Sequence, residues 1–332
     1  MSLAYCAAED RADHELGVRL LVASLARHHG GEPLLLFFPP ADHAFRTWLQ
    51  RFPFVHLIED WPGGSGWAIK PSALRYTLRE FDEAVWIDAD IIVTSNPRSM
   101  FHQENRHTMV VVEEPSTQPN HGSTARTQGL GLNVGRHLAI TTNSCVLRVT
   151  NAHDPLLQRW ATILASEEYL DSQRKQVEDR PLSLMGDQDV LCGLLGSTMF
   201  SDIQIRYLQH GRDIIHSGGL LAYTPKERLK NIYRSPCFIH GQGTKPWKIF
   251  MPPDLTKKGF FWQYRRLAQE VSPYFAESKK YASDIGAEAK WMSYRSIAGR
   301  LLCAIGFGSH SLRGLPISIG AHLYRRLRGM QM

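Results

Sequence analysis

Ala84-Val85-Trp86-Ile87-Asp88-Ala89-Asp90-Ile91-Ile92-Val93 carries two acids inside an otherwise apolar run. Val, Trp and Ile favour a pleated, buried surface, so the run predicts a core strand. Ionised carboxylates are rarely left in such surroundings without a partner. Alternate side chains at a strand end point the same way, so Asp88 and Asp90 can reach one cation. Hard divalent ions such as Mg²⁺ and Mn²⁺ prefer oxygen ligands and commonly bridge to phosphates. The stretch therefore predicts a metal–diphosphate site at the C-terminal end of a strand. An Asp-x-Asp is also a common solvated turn or helix cap, but a solvated turn does not need six apolar neighbours.

Upstream, residues 2–8 read as a strand and Glu15–His28 as a helix ended by a glycine C-cap at Gly30-Gly31. Leu34–Phe38 and Val55–Ile58 read as further strands, with helices over 42–51 and 71–81. This alternation predicts an α/β fold with a Rossmann-like, mostly parallel sheet and flanking helices. In such sheets ligands sit outside the carboxyl ends of strands, where Asp88 and Asp90 fall. Downstream, 107–112 and 143–149 read as strands and 155–168 as a helix. Residues 115–135 are rich in Gly, Ser, Thr, Asn and Gln, which predicts a mobile loop or lid. Residues 170–180 are charged and expected to be exposed.

Two later stretches add chemistry. Pro236–Ile239 reads as a strand that runs into His240-Gly241-Gln242-Gly243-Thr244-Lys245-Pro246-Trp247. A histidine can complete a metal site begun by carboxylates. Glycines let backbone N–H groups approach phosphate, and a lysine adds a compact positive charge. The alternative is a glycine-rich hairpin with an incidental surface lysine. Gly186-Asp187-Gln188-Asp189 opens a helix near Gln188. Asp187 is read either as its N-cap or, with Gln188, as a holder of sugar hydroxyls.

The chain has 332 residues, 43% hydrophobic and 21% charged, an ordinary globular composition. The five cysteines form no Cys-x-x-Cys, and an odd number cannot close a disulfide framework; reduced thiols in a cytoplasmic protein are expected. No signal peptide or membrane span is expected from the apolar patterning. Residues 279–332 hold nine Lys or Arg against two Asp or Glu, a net of +7 in a chain of +6, so the remainder is close to neutral. Residues 294–328 interleave apolar and basic side chains, a pattern that fits either a helix pair packed on the core or peripheral contact with an anionic membrane on its inner face. The net positive charge is confined to this tail without a binding motif, so no nucleic-acid partner is expected. The expected division is 1–250 for a catalytic domain and 251–332 for a helical, basic extension.

These segments, in this order from about Leu3 to Trp247, resemble the retaining glycosyltransferases related to glycogenin, galactinol synthase and the bacterial lipopolysaccharide galactosyl- and glucosyltransferases. The resemblance implies a GT-A fold, a UDP-sugar as nucleotide-sugar donor, Mn²⁺ or Mg²⁺ as cofactor, and a glycan or glycolipid acceptor. It implies that Asp88, Asp90 and His240 ligate the metal. Lys245, with Gly243 beside it, matches the lysine that contacts the β-phosphate. Asn143 matches the asparagine near the donor sugar, Asp187 and Gln188 the pair beneath the anomeric carbon, and Lys70 the basic residue that precedes the metal motif. His14 falls where a tyrosine usually stacks on uracil, with Asp10 at the preceding turn. The pattern departs from the family in three places: the His240 block is one residue short, Cys145 replaces a glycine, and His14 replaces the tyrosine. A sugar nucleotidyltransferase would share the metal and phosphate needs, but residues 6–14 offer no glycine for its phosphate loop. A non-catalytic nucleotide-sugar binder is the other alternative.

Overall fold

The computed structural model describes residues 2–64, 66–101, 104–114, 121–217, 223–243, 245–306 and 309–327. Its strands are β1 (Leu3–Ala8), β2 (Leu34–Phe37), β3 (Val55–Ile58), β4 (Glu83–Ile87), β5 (Ile91–Val93), β6 (Thr108–Glu113), β7 (Thr142–Thr150), β8 (Gln204–Leu208), β9 (Ile214–His216) and β10 (Phe238–His240). The chain packs as two interleaved units. The first comprises Met1–Ala12, Gly30–Ala89 and Arg98–Leu208, and the second Asp13–His29, Asp90–Pro97 and Gln209–Met332. This division by packing differs from the 1–250 and 251–332 division expected from the sequence. Trp247, Ile249 and Phe250 belong to one apolar cluster with Tyr274, Phe275 and Trp291, so packing runs straight through residue 250.

The first unit is α/β, built on a seven-stranded sheet in the order β3-β2-β1-β4-β7-β6-β8. Four of its pairings are parallel; β7 runs antiparallel to both β4 and β6. β1, β2 and β4 are buried on both faces almost throughout, as central strands of a parallel sheet are. One face carries Trp86, Leu147 and Val149 against Leu156, Trp160, Leu191 and Leu194 of helices Asp154–Leu164 and Asp187–Leu195. The reversed strand β7 matters for the site. Ile87 pairs with Val146, and Val112 with Asn143, so the start of β7 lies beside the carboxyl ends of β4 and β6.

The second unit holds a three-stranded sheet, β5-β10-β9, and most of the C-terminal helices. The run expected as one core strand is therefore two: β4 ends at Ile87, β5 begins at Ile91, and the two belong to different sheets. The strand pairing thus breaks at Asp88-Ala89-Asp90, where the two charges stand.

Local details also differ from expectation. The helix Glu15–His28 forms as expected, but His29 in an extended conformation is its C-cap, and Gly31 (φ 105°) makes the turn. Gly186 occupies the N-cap of helix Asp187–Leu195, so Asp187 is the first helical residue and its side chain is not spent on capping. Residues 115–120 of the expected lid lie outside the described residues. The rest of that segment is anchored, with a helix at Thr124–Gly129 and the Arg126 Nε to Asp189 Oδ1 ion pair at 2.7 Å with both side chains buried. Glu167–Arg174 is a helix capped by Ser166, and residues 170–180 are largely exposed as expected, with Ser172 buried among them. No helix among the described residues is long and apolar enough to cross a membrane.

Candidate functional site

In the first unit, the carboxyl edge of the sheet gathers six of the residues singled out from sequence. Asp10 follows β1 and its Oδ2 accepts a hydrogen bond from Gly66 N at 2.7 Å. Asp88 follows β4, its backbone N–H bonded to Cys145 O at 2.8 Å and its Oδ1 accepting from Trp86 Nε1 at 2.6 Å. Asn143 and Ser144 open β7. Lys70 starts helix Lys70–Thr77, with Pro71 next to it, where a missing N–H costs nothing.

Lys70 is the hub. Its side chain is 4% exposed, and Nζ lies 2.8 Å from Ser144 Oγ, 3.1 Å from Asp88 Oδ1 and 3.2 Å from Asp187 Oδ2. Ser144 Oγ donates in turn to Asp187 Oδ2 at 2.6 Å. Burial alone pulls the Lys70 ammonium's pKa down, but the Asp187 and Asp88 carboxylates outweigh it and raise it above the usual lysine range. Lys70 is thus a fixed cation that holds the first acid of the Asp-x-Asp stretch and the first acid of the Asp-Gln pair together.

A second group lies alongside. Asn143 Nδ2 donates to Glu114 Oε2 at 2.5 Å, Gln188 Nε2 donates to the same oxygen at 3.2 Å, and Cys145 N donates to Asn143 Oδ1 at 2.9 Å. Glu114, 3% exposed, was not identified from the sequence. Its signal was present: like Asp88, it is an acid at the end of an apolar strand, Val110-Val111-Val112-Glu113-Glu114. Ser144 and Arg126 were also missed. Burial pushes the Asp189 carboxyl up to about 6, although Arg126 pulls the other way.

In the second unit, β10 pairs antiparallel with β5 and parallel with β9, so His240 lies across from both Ile91 and His216. Asp90 directly precedes β5, and Gly241 N donates to Asp90 O at 2.9 Å. His240 Nε2 is 3.4 Å from Asp90 Oδ1. Lys245, the N-cap of the short helix Pro246–Ile249, forms an ion pair with Asp90 Oδ2, and its Nζ also donates to Gly241 O at 3.1 Å. Asp90 is deeply buried, which works against its charge, yet Lys245 and His240 hold its carboxyl well below the usual range. Gly243 has φ 79°, a conformation that favours glycine, and an added Cβ would meet open space. His14, 6% exposed, presents an edge to the Trp247 ring at 6.1 Å.

Within the second unit Asp90 and His240 set a carboxylate oxygen and a ring nitrogen 3.4 Å apart, donor types that divalent cations accept.

No protein-family model matches the chain, and no curated protein matches it. Among solved structures it is similar to the apo form of the bifunctional glycosyltransferase WbbM, at 13% identity over 84% of this chain and 51% of that one, with a TM-score of 0.48. It is also similar to the glycosyltransferase GlyE of Streptococcus pneumoniae, at 15% identity over 86% and 65% of the two chains, with a TM-score of 0.46. Mouse xyloside xylosyltransferase 1 matches at 14% identity over 73% of this chain and 98% of that one, with a TM-score of 0.41. The chain spans about half the length of the first of these and just under two thirds of the second.

Proposed function

We propose that the chain is a metal-dependent, retaining glycosyltransferase of the GT-A type. It moves a hexose from a UDP-sugar to an acceptor hydroxyl, with a glycan or lipopolysaccharide as acceptor. The observation that carries this reading is the Lys70 bridge. A buried ammonium joins Asp88 and Asp187, far apart in sequence, at the carboxyl edge of a mostly parallel sheet. Purely structural packing seldom sets a buried lysine against one buried and one half-buried acid, because desolvating the charges costs several kcal/mol.

In this reading Asp88, Asp90 and His240 hold Mn²⁺ or Mg²⁺, which supplies Lewis-acid stabilisation of the departing diphosphate. Lys245 offers its charge to the same diphosphate, beside the backbone of Gly243. Its ion pair with Asp90 places that ammonium beside the carboxylate that would hold the metal. Asp10 and His14 hold the nucleoside, His14 by ring stacking. Asn143 and Gln188, linked through Glu114, orient sugar hydroxyls. Asp187 has one oxygen committed to Lys70 and Ser144, so it acts as a fixed negative charge facing an oxocarbenium-like centre.

A panel of UDP-sugars, assayed for UDP release with and without Mn²⁺, tests the reading. One sugar nucleotide is expected to give metal-dependent release that an acceptor glycan accelerates. Binding without release would favour a non-catalytic nucleotide-sugar protein, and pyrophosphate-forming exchange a nucleotidyltransferase.

The C-terminal helices bear on the acceptor. Helix Ile297–Ile305 exposes Ile297 (77%), Leu301 (62%) and Ile305 (60%) at four-residue spacing. Helix Leu315–Leu327 exposes Ile319, Leu323 and Leu327 in the same way, while Ser318 on its inner side is buried against Tyr223 O. One side packs on the unit, and the other is apolar, flanked by exposed Arg295, Arg300 and Arg326. We propose that this side rests on an anionic, cytoplasmic-facing membrane. Leu301→Glu with Leu323→Glu is expected to lower flotation with phosphatidylglycerol vesicles at least severalfold; unchanged flotation would remove the membrane contact.

A further inference from the structure

Three imidazoles line up in the second unit. His216 Nδ1 is 2.9 Å from His240 Nδ1, and the rings of His210 and His216 stack with centroids 5.2 Å apart and 22° between planes. His216 is fully buried and His240 is 5% exposed. The placement follows from register: Ile214-Ile215-His216 and Phe238-Ile239-His240 are parallel partners, two short strands of the same pattern that each end in histidine.

A neutral imidazole has one N–H and one lone pair. Two ring nitrogens at hydrogen-bond distance share one proton, so one of His216 and His240 donates and the other accepts. The other nitrogen of His240, Nε2, points at Asp90 Oδ1, 3.4 Å away. With the proton on Nδ1, His240 donates to His216 and turns the lone pair of Nε2 toward Asp90, where a cation would be held. With the proton on Nε2, His240 can only donate to Asp90 and offers a metal nothing. The position of that one proton decides whether His240 is a ligand.

We propose that His216 is a positioning residue for His240. By accepting the Nδ1–H of His240 it selects the tautomer that presents Nε2 to the ion, and stacking against His210 fixes its own ring. The inference rests on the reading of His240 as a metal ligand. In this reading His216 is not itself a ligand. Partners of this kind orient ligating histidines, and losing one typically costs ~10–100-fold in metal affinity.

The test reads metal uptake and tautomer state, not turnover. Mn²⁺ affinity, followed by the loss of the free-ion electron paramagnetic resonance signal, is expected to fall ~10–100-fold in His216→Phe, which keeps the stacked ring but cannot accept. His216→Asn, which returns an oxygen acceptor near the Nδ1 position, is expected to recover most of that loss; a purely packing role predicts the reverse order. In the wild-type protein loaded with diamagnetic Mg²⁺, ¹⁵N spectra of labelled histidines are expected to show His240 protonated at Nδ1 and His216 at Nε2. That measurement stands if His216→Phe fails to fold. His216 found protonated at Nδ1, or Mn²⁺ uptake unchanged in His216→Phe, overturns this inference alone. Absence of Mn²⁺ uptake by the wild-type protein overturns the metal reading and this inference with it.

Discussion

Asp90→Asn is expected to lower metal-dependent UDP release by ~10²-fold or more, the scale at which one preorganised electrostatic contact is lost. The substitution keeps the shape of the side chain and removes only its charge. That charge is well protected: Asp90 is 9% exposed, and Lys245 and His240 keep its carboxyl ionised far below the normal range. An amide oxygen is a much weaker ligand than a carboxylate for a hard dication, so the ion is held less tightly and less squarely. The folding cost should be moderate, because the partner left behind, Lys245, is 16% exposed at its side chain and can turn to water. Initial rates at saturating Mn²⁺ are to be measured together with a urea unfolding midpoint, so that a rate loss is told apart from unfolding. Wild-type rates in the variant, or wild-type rates in the unaltered protein in EDTA, would sink the metal assignment.

The acids at the ends of apolar runs were the legible part of this sequence. Asp88 and Asp90 stand out because Ala84–Ile87 and Ile91–Val93 on either side of them are purely apolar, and a charge there needs a reason. The parallel sheet was legible for the same cause: β1, β2 and β4 read as short, unbroken apolar runs separated by helical spacing. What the sequence hid was pairing. Nothing local in Ile91-Ile92-Val93 says that it leaves the large sheet for β10, because a strand's propensity carries no information about its neighbour. Antiparallel β7 was equally hidden, and with it the meeting of Ser144, Asp187 and Lys70, which depends on a reversal of chain direction. Glu114 and His216 followed the pattern already recognised in Asp88 and His240. They were passed over because each has a bland local explanation, a surface glutamate after a strand and an isolated buried histidine. The helix over residues 124–129 was misjudged because Thr, Gly and Gln there look like loop composition, while Arg126 anchors it to Asp189, 63 positions on.

Lys70→Met is expected to destabilise the protein by about 3–5 kcal/mol at pH 8, the usual cost of leaving buried charge without its partner. In the native chain one ammonium serves two carboxylates, Asp88 at 3.1 Å and Asp187 at 3.2 Å, inside a pocket where Lys70 and Asp187 are nearly sealed from water. Asp88 and Asp187 raise the Lys70 pKa in the folded state. A raised lysine contributes stability that is fully present below the unfolded-state pKa of ~10.4 and is lost only as pH rises through the higher folded value. At pH 8 the wild-type protein therefore has the whole of that contribution to lose. Methionine fills the volume and leaves the two acids facing each other, so one of them takes up a proton more readily than in the unfolded chain. A carboxyl whose folded pKa lies above its unfolded value near ~4 destabilises increasingly as pH rises between the two. The deficit of the variant should thus shrink on going from pH 8 to pH 5, opposite to a simple loss of packing, which is indifferent to pH. Urea midpoints of both proteins at the two pH values measure this directly. Adding Asp187→Asn to Lys70→Met should restore part of the stability by leaving a single acid, with Trp86 Nε1 still bonded to Asp88. An equal deficit at pH 5 and pH 8, together with no recovery in the double variant, would mean that Lys70 is held there by the Trp86 ring, whose centroid lies 5.7 Å from Nζ, and not by the two acids.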